Sequence, residues 1–208
     1  VDQFLEVLQR SALGQALGNV LSRRSVGMFL ERTVFSSHGA KLPVPLIDQP
    51  TRYVALSEAN FKPAIQASCS IPFWLDPVRD IPGAVKGAHW DGGLIDYHLH
   101  WNYNAMDQGL VLYPHFQKQV IPGWLDKSLK WRHKATPALS NMVLLAPNPD
   151  WVRTLPQGKL PDRNDFTGMD VHTRIRILTE AVAQSQQLAD EWMQWLERGC
   201  PSDQVHAI

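Results

Sequence analysis

The sequence predicts an α/β domain, because short β-branched or continuously apolar runs alternate with segments of helical period. TRYVAL at 51–56 and NMVLLA at 141–146 carry the strand signal, and 171–195 carries the clearest helical one. Strands separated by helices are the pattern of a layered α/β fold. At 208 residues the chain suits one domain, 1–208, with no linker dividing it and no internal repeat.

The elements follow in order. Phe4, Leu5, Leu8, Leu13, Leu17 and Leu21 recur at helical spacing, so 2–22 reads as an amphipathic helix. Residues 26–35 fit either a strand or a second helix. Three prolines make 41–50 a loop. Ser57 is placed to cap a helix over 57–70 that is rich in Ala and Ser, with Pro63 near its first turn and Pro72 ending it. Residues 78–90 read as a hairpin around Pro82-Gly83, and Asp91-Gly92-Gly93 as a sharp turn. The runs at 110–113 and 142–146 fit strands covered on both faces. Four prolines make 147–166 a long loop. In the closing helix Val171, Ile175, Leu178, Val182, Leu188, Trp192 and Trp195 mark a buried face, and Gly199 and Pro201 end it.

Composition narrows the function. Lys plus Arg equals Asp plus Glu, at 20 each, so nothing general attracts nucleic acid. Two cysteines, Cys69 and Cys200, are no disulfide framework, which favours a reducing, cytoplasmic setting. No apolar run approaches the roughly 20 residues that span a bilayer. The eight tryptophans suit buried anchors and lipid–water interfaces alike.

The informative stretch is 64–96, AIQASCSIPFWLDPVRDIPGAVKGAHWDGGLID. A small-residue helix leads into Ala67-Ser68-Cys69-Ser70-Ile71-Pro72, and a hairpin then delivers Asp91-Gly92-Gly93. This resembles the patatin-like phospholipase family, in which an A-S-x-x-x-P segment precedes a core strand ending in D-G-G or D-G-A. The resemblance covers about the central third of the chain. Independently of it, a turn at a strand end fixes a carboxylate in place, and two glycines permit positive φ and close backbone approach. The plainer role for Asp91 is to hold its own turn.

The resemblance implies a three-layer α/β/α domain that hydrolyses lipid acyl esters, phospholipids among them, with a Ser–Asp dyad and no cofactor. Asp91 would be its acid, taking the serine proton directly, with Gly92 and Gly93 shaping the turn. The serine would stand in a G-x-S-x-G elbow, and a glycine-rich loop would stabilise the oxyanion. No serine here has glycine on both sides. Ser25 precedes Gly27 and Ser37 precedes Gly39, but Arg23 and Phe35 stand on the other side. The reading therefore expects the nucleophile in an N-terminal segment preceding Val1, with this chain alone inactive. The family pattern of Asp-Asn and a proline after DGG is met by Asp96 but not by Tyr97. That departure keeps open a non-catalytic lipid-binding or interaction protein on the same scaffold.

Other residues carry rival readings. His89, His98 and His100 flank Asp91, and with Asp91 or Asp96 would make a metal set for a hydrolase. Cys69 with one of these histidines is a second nucleophile arrangement. Trp124, Lys127, Lys130, Trp131, Arg132, His133 and Lys134 form a basic, aromatic cluster, either a solvated face or a peripheral contact with an anionic membrane. Phe73-Trp74-Leu75 is a second candidate for interface contact, or packs on the hairpin.

Overall fold

A computed structural model describes residues 22–208, so the helix expected over 2–22 lies outside the described residues. The architecture is mixed α/β, with small sheets and, among the described residues, five α-helices. By packing, the chain falls into two compact units. The first runs to Val111 and takes in Gln119–Met142; the second comprises Leu112–Lys118 and Val143–Ile208.

The described part of the first unit opens with a one-turn helix, α1 (Arg23–Val26), capped by the Ser22 side chain. Strand β1 (Arg32–Ser36) pairs in parallel with β2 (Thr51–Ala55), Val34 opposite Tyr53. The 26–35 run is thus split, its β-branched end forming the strand. The proline-rich 41–50 segment is the expected loop and joins two parallel strands without a helix.

Helix α2 (Glu58–Ser68) begins at Ser57 as expected. Asn60 fixes its start. Its Oδ1 accepts from Ser57 N at 2.8 Å. Its Nδ2 donates to Ala55 O at 2.9 Å and Pro82 O at 3.1 Å, tying strand, helix and hairpin together in a position 2% exposed. Pro63 is the sixth helical residue and not in the first turn, so the helix carries a proline in its interior.

The hairpin is real but short: β3 (Val78–Arg79) pairs antiparallel with β4 (Ala88–His89). At its tip Ala84 N donates to Ile81 O at 3.0 Å and Gly83 takes φ 82°, so Pro82-Gly83 occupies the centre of a type II turn. The DGG segment is the expected turn, with Leu94 N donating to Asp91 O at 3.2 Å. It opens a one-turn helix, α3 (Gly93–Asp96).

Strand β5 (Val111–Pro114), of which Leu112–Pro114 belong to the second unit, pairs with β6 (Met142–Leu145), of which Val143–Leu145 do. Val111 N donates to Asn141 O and His115 N to Leu145 O, so the strands run parallel. β5 is not covered on both faces: its burial alternates, with Leu112 49% exposed. The 147–166 segment is not all loop, for it contains α4 (Pro149–Thr154) and a 3-10 turn, Arg163–Phe166. Helix α5 (Val171–Glu197) is the expected closing helix. Its packed face differs from expectation. Ala181 and Leu188 meet Trp151, Val152, Leu155 and Leu160, whereas Val171, Ile175 and Val182 are exposed.

Candidate functional site

Asp91 stands two residues beyond β4, and two bonds define it. Its backbone N donates to Ser70 O at 3.0 Å, stitching the DGG segment to the end of the Ala-Ser-x-x-x-Pro segment. Its Oδ1 accepts from Gly93 N at 2.6 Å. Asp91 therefore does hold its own turn, as the plainer reading expected. Among the described residues no cation is paired with it.

The glycines act differently from expectation. Gly92 has φ −61° and Gly93 is not among the positive-φ residues, so neither supplies a left-handed conformation. Gly93 leaves room for the carboxylate: a Cβ there would lie 2.8 Å from Asp91 Oδ1, which would have to shift. A Cβ on Gly92 would meet nothing within 4 Å.

Asp91, Gly92 and His89 line a cleft of about 560 Å³ within the first unit. Its walls are largely apolar, with Phe29, Leu30 and Phe35 from the β1 side and Phe61, Ala64 and Ile65 from α2. One carboxylate set among such side chains is an arrangement suited to proton transfer beside an apolar ligand.

Two other carboxylates line the cleft and are committed elsewhere: Glu31, which accepts from Arg52 Nε at 2.8 Å, and Asp96. Arg32, 6% exposed, binds it bidentately, Nε to Oδ2 at 2.6 Å and Nη2 to Oδ1 at 2.7 Å. Trp101 Nε1 donates to Asp96 Oδ1 at 3.0 Å, and Arg32 also reaches Asp48 Oδ1 at 3.1 Å and Thr51 Oγ1 at 2.9 Å. Burial alone would lower the Arg32 pKa, but its bonds to Asp96 and Asp48 outweigh burial and raise it. Arg32 thus fastens the start of the strand pair to the end of α3.

The three histidines go to three places. His89 lines the cleft. His98 is buried, stacked on Tyr97 at 4.4 Å, with Nδ1 accepting from Ile121 N at 2.9 Å. His100 Nε2 lies 3.1 Å from Thr136 Oγ1, and burial holds its pKa below the usual imidazole value. Among the described residues no group of three or more His, Cys, Asp or Glu is placed to hold a metal ion. Cys69 is exposed at the C-terminal cap of α2.

The basic cluster is partly consumed. Asp126, 1% exposed, pairs with Arg23 and, at 2.8 Å, with Arg132, and His133 Nε2 lies 2.9 Å from its carbonyl. Lys127 Nζ sits 4.1 Å from the Tyr97 ring centroid. The loop after α2 is open instead: Phe73, Trp74 and Leu75 are 67%, 66% and 54% exposed, and Phe73 takes φ 72°.

Sequence reasoning missed Lys86 and the α2 face carrying Phe61 and Ile65 as parts of the cleft. Among the described residues no helix is long and apolar enough to cross a membrane. No family model, curated protein or solved structure matches the chain.

Proposed function

We propose that the protein hydrolyses lipid acyl esters, with Asp91 as the proton acceptor of a Ser–Asp pair. One observation carries the reading: Asp91, its backbone anchored on Ser70 O and its carboxylate held by Gly93 N–H, lines a largely apolar cleft of about 560 Å³. In this scheme Oδ1 is held by the Gly93 N–H and Oδ2 takes the serine proton as Oγ attacks the ester carbonyl. Asp91 returns that proton to the alcohol that leaves as the acyl-enzyme forms, and then takes a proton from the attacking water and passes it to serine Oγ as the acid is released. The acyl chain would lie along Phe61, Ile65, Phe29 and Leu30. The finer architecture, a three-layer α/β/α domain, belongs to the same proposal and is supported by the parallel pairing of β1 with β2 and of β5 with β6.

A second reading, a lipid-binding or interaction protein without catalysis, is favoured by the absence of G-x-S-x-G from the 208 residues. The test measures p-nitrophenyl acyl ester turnover by the whole encoded protein. Asp91→Asn should lower kcat/KM by about 10²- to 10⁴-fold with an unchanged circular dichroism spectrum. Turnover at the unsubstituted rate in that variant removes Asp91 from the mechanism. Ester binding without turnover in the unsubstituted protein selects the binding reading.

A further inference from the structure

The apolar face left open on α5 has the length, spacing and charge pattern of a pairing surface. Val171, Ile175, Val182, Ala189, Met193 and Leu196 recur every three, four or seven residues and so form one stripe along 27 residues, about 40 Å. They are exposed: Val171 54%, Ile175 58%, Val182 72%, Met193 53% and Leu196 39%, with Ala189 also open. One edge of the stripe is the face that Ala181 and Leu188 pack on Trp151 and Leu155. The other edge is charged, and its sign changes along the helix. His172 and Arg176 lie toward the N-terminus, Asp190 and Glu197 toward the C-terminus.

We infer that this stripe pairs antiparallel with α5 of a second copy of the chain. About a two-fold axis near the helix midpoint, Val171 comes opposite Leu196, Ile175 opposite Met193, and Val182 opposite Ser185. The same operation sets Arg176 beside Asp190, so opposite charges meet on the shared edge, and places His172 beside Glu197. The local partners of this edge are weak and exposed: Arg176 lies 4.0 Å from Glu180, and Asp190 accepts from Gln186 at 2.9 Å. Both can be redirected to the partner copy. The inference is independent of the hydrolase reading, since α5 lies apart in sequence from every cleft residue.

The test is sedimentation velocity of the 208-residue chain over about 1–100 μM. A concentration-dependent dimer is expected. Val182→Glu, and separately Asp190→Arg, should raise its dissociation constant by about tenfold or more, while Arg176→Glu combined with Asp190→Arg should recover most of the loss. A spin label at His172→Cys, with Cys69→Ser and Cys200→Ser, reads the orientation. Antiparallel pairing puts the two labels about 35 Å apart at 1.5 Å per residue. A monomer at every concentration, a dimer indifferent to Val182→Glu, or labels about 10 Å apart would each overturn the assignment.

Discussion

The hydrogen that glycine carries in place of a side chain at position 93 leaves room for the Asp91 carboxylate. A methyl group there would lie 2.8 Å from Oδ1, and that oxygen is held by the N–H of the same residue at 2.6 Å. Moving the carboxylate aside breaks this bond, while the backbone of Asp91 stays anchored on Ser70 O. Gly93→Ala should therefore lower the unfolding free energy by about 1–3 kcal/mol, read as a lower urea midpoint at constant slope. An unchanged midpoint would mean that the carboxylate swings freely and is not pinned. The contrast with Asp96 shows why Asp91 is available and Asp96 is not. Asp96 faces a buried guanidinium in two-point contact, whereas Asp91 meets a single backbone donor. The sequence indicated Asp91 as the residue to watch. It did not reveal the reason for Gly93, because a steric contact between positions two apart depends on the φ and ψ between them.

Helix α2 was legible in sequence, since its signals are local: a capping serine, small residues, and Pro72 beyond its end. The type II turn at Pro82-Gly83 was legible for the same reason. What escaped was set by tertiary context. The six-residue helix α4 hides in a proline-rich stretch whose Pro149 is the first helical residue, where a missing N–H is harmless. The face of α5 that packs is decided by where Trp151 and Leu155 lie, which periodicity alone does not report. Pro63 is the exception inside α2. Local rules keep proline to the first turn, yet it stands sixth, beyond that turn. Its ring removes the bond to Ala59 O and crowds that carbonyl. The tie of Asn60 to Ala55 O and Pro82 O holds the helix start regardless. Pro63→Ala should restore the bond and raise stability by about 1–2 kcal/mol, after allowing for the more flexible unfolded chain. Thermal or urea unfolding reads it, and a destabilised variant would show that ring packing outweighs the missing bond.

At the scale of the whole molecule, the two interface candidates separate by what their side chains already do. The basic segment 124–134 spends Arg132 on Asp126 and rests Lys127 on Tyr97, which leaves Lys130 and Lys134 as its other exposed cations. The 71–75 loop spends little of its apolar area on the protein. Trp74 N and Leu75 N donate to Ile71 O, which folds the loop tightly, and the left-handed backbone at Phe73 is a strained conformation for so bulky a residue. Ser68, at the root of this loop, lines the same cleft as Asp91. A surface that received Phe73, Trp74 and Leu75 would therefore meet the chain close to the cleft. Burying such side chains in an interface contributes about 1.5–3 kcal/mol each, so the contact should be driven by apolar area and not by charge. The 208-residue chain is expected to bind phosphatidylcholine vesicles, with an affinity that changes little between low and physiological salt. Phe73→Ser with Trp74→Ser should weaken that binding by about tenfold or more, while Lys130→Gln with Lys134→Gln leaves it nearly unchanged. Vesicle co-sedimentation measures all three proteins. Binding that requires anionic lipid, or that survives loss of Phe73 and Trp74, would move the contact away from this loop and detach the cleft from the membrane surface.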